Sequence, residues 1–181
     1  MPLAAPSRNI ELKAHDRDPE ASLSACLELG ATDHGIIWQR DTYFDVPRGG
    51  LKLREEQPGS AHLIQFSRAE QPQQRESRYR IVEIPDAAGL IAVLADAIGV
   101  SVTVVKQRRL LLWETVRIHL DNVEQLGSFI ELEAVAPADS DLSREYALLA
   151  RLRDALQITD NQLQARGYAR QLRPNVKSPA P

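Results

Sequence analysis

The sequence predicts an α+β domain: a closed or nearly closed eight-stranded antiparallel β-barrel with helices packed on the outside. Three observations lead there. About eight stretches alternate polar and apolar residues with the period of two that a half-buried strand requires. Most are separated by short turn signals, such as Gly49-Gly50 and Gln57-Pro58-Gly59-Ser60, so successive strands pair antiparallel. Three or four segments with helical apolar spacing can cover one face of the sheet, and a sheet of this many strands tends to curl or close.

In chain order, residues 1–7 are rich in Pro and Ala and are expected to be disordered. Asn9 to Lys13 alternates, with Asn9, Glu11 and Lys13 on one face and Ile10 and Leu12 on the other. Asp18 as N-cap and Pro19 in the first turn open a helix over Ala21 to Leu29, and Gly30 ends it. Residues 36–45 form an aromatic and β-branched strand, and Leu51 to Glu55 is its hairpin partner, setting Leu51 and Leu53 against Lys52 and Arg54. His62 to Arg68 is a further strand, and residues 69–76 read as a mobile polar loop. In the strand from Ser77 to Ile84, Arg78 and Arg80 share a face opposite Tyr79 and Ile81.

Pro85-Asp86 opens a second helix, Ala87 to Ile98, closed by Gly99. Val100 to Leu112 is a long strand carrying Lys106 and Arg108 on one face. From Thr115 to Asn122, Val116, Ile118 and Leu120 alternate with Arg117, His119 and Asp121. The strand Ser128 to Val135 sets Glu131 and Glu133 two apart on one face, against Ile130, Leu132 and Ala134. A third helix spans Leu142 to Leu156 with Leu142, Leu149, Leu152 and Leu156 as its buried stripe, Asn161 to Leu172 reads as a short helix, and residues 173–181 as a disordered tail.

Composition narrows the function classes. With 181 residues the chain is one domain able to bury a core. A net charge of −3 leaves no basic field for duplex nucleic acid. No apolar run approaches the ~20 residues that span a bilayer, and the N-terminus lacks the pattern of a secretory signal. The single cysteine, Cys26, lies among Leu23, Leu27 and Leu29 as a buried helix residue, and excludes an internal disulfide. A soluble cytoplasmic domain without membrane contact is the expectation.

The strand faces point to a site. If the helices cover the apolar face, the charged face lines a wide, wet cavity. Glu131 and Glu133, about 7 Å apart, repel each other unless a cation lies between them. Leaving so many buried charges unpaired would cost several kcal/mol each. A polyanion with a divalent cation would satisfy them together: Lys and Arg grip phosphate oxygens, and carboxylates hold Mg²⁺ or Mn²⁺. The same alternation also fits a solvated face laced with ion pairs. The repeated Lys/Arg pairs at i, i+2 favour the polyphosphate site.

These residues resemble a known family. The pieces NIELKA, DTYFDVPRGGLKLRE, VKQRRLL, RIHLDNVEQLGSFIELE and GYARQL, in this order over residues 8–172, are similar to the CYTH domain of class IV adenylyl cyclases and thiamine triphosphatases, the triphosphate tunnel metalloenzymes. The resemblance implies a tunnel around a triphosphate chain. It implies Lys13, Lys52, Arg54, Arg78, Arg80, Lys106, Arg108 and Arg117 as phosphate ligands, with Lys13, Arg54 and Lys106 carrying catalysis. Glu11, Glu131 and Glu133 would hold the metal, Mg²⁺ or Mn²⁺, with Asp121 beside it. Asn9 stands where the family pattern has glutamate and brings no charge to the metal. The implied partner is a nucleoside triphosphate or other polyphosphate, and a homodimer is compatible with the resemblance. The leading reaction is conversion of ATP to cyclic AMP and pyrophosphate. The alternatives are hydrolysis of tripolyphosphate or thiamine triphosphate, and a non-catalytic nucleotide or polyphosphate binder.

Overall fold

The computed structural model describes residues 5–173; of the termini read as disordered, 1–4 and 174–181 lie outside the described residues, whereas Ser7, read with the N-terminal stretch, is the first residue of β1. Eight strands close into one antiparallel barrel: β1 (Ser7–His15), β2 (Thr32–Phe44), β3 (Gly50–Gln57), β4 (Ser60–Arg68), β5 (Arg75–Glu83), β6 (Val100–Trp113), β7 (Val116–Val123) and β8 (Gly127–Ala136). Around the barrel the order is β1-β5-β4-β3-β2-β6-β7-β8, and β8 returns to pair with β1. Two meanders, β2 to β5 and β6 to β8, are thus zipped together by β2 with β6 on one side and by β1 on the other.

Helix α1 (Pro19–Glu28) starts as expected, with Asp18 accepting a hydrogen bond from the Ala21 amide and Pro19 in the first turn. Helix α2 (Ala87–Ile98) is capped by Asp86 on the Gly89 amide and stops at Gly99, whose φ of 79° suits a residue without a Cβ. Helix α3 covers Ser143–Ala155 and α4 covers Tyr168–Leu172. The segment expected to be one helix from Asn161 is a single 3-10 turn, Asp160–Gln162, followed by an extended stretch and then α4. Leu163 there bridges Ala14, so pairing with the barrel holds the chain extended.

The packing inverts that of an ordinary small barrel. The main core lies outside the sheet, where Ile10, Leu12, Ile118, Ile130 and Leu132 pack with Leu148, Leu149 and Leu152 of α3 and Cys26 of α1. The sheet residues all come from the outward parity of β1, β7 and β8, so burying that parity turns its partner inward. Coverage is one-sided: α2 lies against β2 and β3 and buries none of its residues fully, and Val93 is 63% exposed. The expectation that the helices blanket the apolar face holds for α1 and α3 only. No described helix is long and apolar enough to cross a membrane.

Candidate active site

The inward parity encloses a cavity of about 310 Å³ lined by side chains from every strand. At one end Tyr168 of α4 fills the barrel, packing on Phe129 with ring centroids 5.0 Å apart, beside Val104 and Val123. The other end is a mouth where Asn9, Ile37, Tyr79, Ile81, Leu110, Arg117 and Glu133 stand on strand ends far from Tyr168.

Three buried charge clusters occupy the interior, the third being Glu11 with Arg68 and Arg75. Asp41, fully buried on β2, accepts Arg54 through both carboxylate oxygens at 2.7 and 2.8 Å. It also takes Lys52 Nζ at 2.8 Å and Lys106 Nζ at 3.0 Å. The register puts Asp41 opposite Arg54 and sets Lys52 and Lys106 one inward position away, so three cations converge on one carboxylate. In the second cluster Arg108 holds Asp121 bidentately at 2.7 and 2.6 Å and reaches Glu131 at 2.8 Å. Glu131 also meets Lys13 at 2.8 Å, and Lys13 lies over the Tyr168 ring, 3.6 Å from its centroid. The Tyr168 hydroxyl donates to Asp121 at 2.8 Å.

Burial alone would raise the Asp41 carboxyl, but Arg54, Lys106 and Lys52 hold it well below the usual carboxylate range. The lysines bear the converse cost. Burial, then Arg54 beside it, pushes Lys52 down to about 7; burial pushes Lys106 down to about 8 against the pull of Asp41. Depressed lysines weigh against folding at low pH, where the folded chain must take up protons that the unfolded chain binds readily. Stability of the ligand-free protein should therefore rise from pH 7 towards the ordinary lysine value of 10.5. Thermal unfolding across that range checks the sign.

Toward the mouth, His119, Glu131 and Glu133 offer ligand atoms all within 4.8 Å of one another. His119 Nδ1 is buried without a hydrogen-bond partner, 3.7 Å from Glu131 and 3.9 Å from Glu133. Burial, then Arg108, lowers the His119 pKa, which keeps the imidazole neutral and able to ligate. Two carboxylates and an orphaned neutral imidazole are a donor set that fits a divalent cation.

The structure therefore brings Lys13, Lys52, Arg54, Lys106, Arg108, Glu131, Glu133 and Asp121 into one interior, with Arg117 exposed at its rim. It does not bring in Arg78 and Arg80. Both are exposed on the outer face of β5, and Arg78 bonds Glu76. Their charge suggested the inward side, but no described helix blankets this face, and both arginines stand on its exposed side; Ser77, Tyr79 and Ile81 point inward instead. Glu11 is inside, directly opposite Glu133 across β1 and β8, but its carboxylate is held by Arg68 and Arg75 at 2.8 Å each and is not among the clustered ligand atoms.

Sequence reasoning missed Asp41, Arg68, Arg75, His119 and Tyr168. For Asp41 and His119 the signal was present, since alternation puts them in phase with Tyr43 and Asp121. Arg75 lies in the polar run 69–76, whose composition reads as a loop. It is the first residue of β5, 1% exposed, and also bonds the Gln71 carbonyl, tying the loop's far end to the barrel.

The CYTH domain family model matches residues 7–168. No curated protein matches the chain by sequence. Among solved structures, PH1012 from Pyrococcus horikoshii superposes with a TM-score of 0.81 at 22% identity, covering 90% of this chain and 98% of its own. A candidate adenylate cyclase from Vibrio parahaemolyticus gives 0.76 at 20% identity, covering 92% and 98%. HpAC1 from Hippeastrum, described as revealing a dominant triphosphatase activity, gives 0.61 at 17%, covering 88% and 91%. At these identities the likeness establishes the fold, and the family follows from the model that matches most of the chain: this protein belongs to the CYTH domain family.

Proposed function

We propose that this protein is a divalent-metal-dependent enzyme acting on a triphosphate, with ATP cleavage to cyclic AMP and pyrophosphate as the leading reaction. The observation that carries this reading is the polarity of the cavity. Lys52 and Lys106 lie deep, around Asp41, and Lys13 shares one rung of the sheet with Glu131 and His119, while Glu133 stands one inward position nearer the mouth. A triphosphate bound tail-first would leave its terminal phosphates among the lysines and its α-phosphate near the carboxylates. Its organic group would stay at the mouth.

Glu131, Glu133 and His119 would hold Mg²⁺ or Mn²⁺, which when bound supplies Lewis-acid polarisation of a phosphoryl oxygen. The chain's own groups do the rest. Arg54 can grip two phosphate oxygens at once, as it now grips Asp41. Lys52 and Lys106 would regain full protonation beside phosphate and stabilise charge on the departing pyrophosphate. Lys13, buried and flanked by Tyr168, would position the phosphate chain between the two clusters.

Hydrolysis of the terminal phosphate is the second reading, supported by the activity described for HpAC1 on the same fold. One assay separates them: purified protein with Mg²⁺ or Mn²⁺ and ATP, tripolyphosphate or thiamine triphosphate, scoring cyclic AMP, pyrophosphate and phosphate separately. Cyclic AMP with pyrophosphate supports the cyclase, and phosphate alone the hydrolase. Binding without turnover would leave a non-catalytic binder.

Two further outcomes are expected. Arg54→Ala should weaken tripolyphosphate binding by about 1.5–3 kcal/mol, the worth of a hydrogen bond to a charged group; unchanged affinity in calorimetry would remove Arg54 from the site. Tripolyphosphate affinity should also fall as pH rises past 7. Binding must then supply protons to Lys52 and Lys106, costing up to about tenfold per lysine per pH unit. A flat profile from pH 7 to 9 would contradict it.

A further inference from the structure

Glu11 and Glu133 are cross-strand partners of the same inward parity, which sets their Cβ atoms about 4.5–5.5 Å apart. A carboxylate so placed is within reach of the cation site formed by His119, Glu131 and Glu133. It is turned elsewhere. Arg68 Nη1 donates to both of its oxygens, at 2.8 Å to Oε1 and 2.9 Å to Oε2, and Arg75 Nε donates to Oε1 at 2.8 Å. Oε1 is thus held by two guanidinium groups and, among the described residues, Oε2 by Arg68 alone.

The two arginines differ in how firmly they are fixed. Arg75 is almost wholly buried, and its Nη1 also donates to the carbonyls of Gln71, Gln164 and Ala165, so its place belongs to the frame of the barrel. Arg68 keeps 22% of its side chain exposed. It lines both the interior cavity and a second cavity of about 420 Å³ at the α4 end of the barrel. There it passes between the Phe66 ring, 5.2 Å from its guanidinium carbon, and Gly167, where a Cβ would stand 2.7 Å from Nη2. Space on two sides lets this side chain leave Glu11 without disturbing the strands. Two guanidinium groups against one carboxylate also leave the cluster with an excess positive charge, which an anion in the cavity would balance. Arg68 is the member of the pair free to take a phosphate oxygen.

We propose that Arg68 is a positioning residue for the metal site: a polyphosphate that draws it off Glu11 frees Oε2 to become a further ligand of the cation held by His119, Glu131 and Glu133. Arg75 keeps Oε1 anchored, so the freed oxygen stays beside Glu133. Anion and metal binding are thereby coupled through one side chain, beyond the direct contact of metal with phosphate, and by linkage each tightens the other equally. This rests on the triphosphate reading above and adds why a metal ion alone meets an incomplete ligand set.

The test is calorimetric Mn²⁺ binding to the wild-type protein, Arg68→Met and Glu11→Gln, each free and loaded with inorganic tripolyphosphate, with Mn²⁺ uptake by free tripolyphosphate subtracted. Arg68→Met should tighten Mn²⁺ about tenfold in the free protein and leave it unchanged in the loaded one, where Oε2 is released in both proteins. Loss of a positive charge by itself would tighten Mn²⁺ equally in the two conditions. Glu11→Gln should give the mirror image, shifting Mn²⁺ less than about twofold in the free protein and weakening it about tenfold in the loaded one. Arg68→Met leaves the buried Arg75–Glu11 pair in place and carries the test should Glu11→Gln fail to fold. An Arg68→Met effect that is absent or equal in both conditions, or a Glu11→Gln loss as large without tripolyphosphate as with it, would overturn the role of Arg68 while leaving the triphosphate reading intact. A wild type that binds no tripolyphosphate would overturn the triphosphate reading itself.

Discussion

At about pH 6, Asp41→Asn is expected to cost the ligand-free protein roughly 3–5 kcal/mol, the penalty for stripping a buried charge cluster of its counter-ion. For a chain of this size that lowers Tm by roughly 6–20 °C. The reason is local: Asp41 is the carboxylate bonded by Lys52, Arg54 and Lys106, and its amide replacement would leave three cations with no negative charge among them. The loss should narrow as pH rises past 7 to 8, because Lys52 and Lys106 then shed their protons and less charge is stranded. Tripolyphosphate should raise the Tm of the variant more than that of the wild type, since phosphate oxygens can take the place of the missing carboxylate. A variant as stable as the wild type at about pH 6 would show that the cluster does not balance on Asp41.

Glu133→Ala is expected to abolish metal-dependent turnover while leaving the fold near wild-type stability. Glu131→Ala should abolish turnover and also destabilise by several kcal/mol. From sequence the two glutamates look interchangeable. In the structure Glu131 also neutralises Lys13 and Arg108, both almost wholly buried, whereas Glu133 is the more exposed of the two and, among the described residues, forms an ion-pair contact with His119 alone. Urea unfolding separates the variants, and Mn²⁺ binding by calorimetry should be weakened in both. Full turnover by Glu133→Ala would remove Glu133 from the metal site.

Much of the fold was legible because alternation is a local property. The limits of α2 and the placement of Lys13, Lys52, Arg54, Lys106 and Arg108 on one side of the sheet follow from spacing and capping residues alone. The β5 parity did not, and the reason is physical. An arginine is equally at home in a charged cavity and in water, so Arg78 and Arg80 could not reveal which side of their strand was inside. Pairing across the barrel decided it, with Arg75 opposite Glu11 and Ser77 opposite Asn9.

Glu131 and Glu133 show the same division. Their shared face was determined by the sequence, through the two-residue period of a strand. Their separate roles were decided by closure of the barrel. Only when β7 and β8 pair does His119 come beside them, and only the packing of α4 sets Tyr168 beneath Lys13. By itself the sequence determined which side chains share a face, because strand geometry is short-range. Which charge meets which, and which end of the cavity is filled, depend on residues far apart in the chain, and tertiary structure alone decided them.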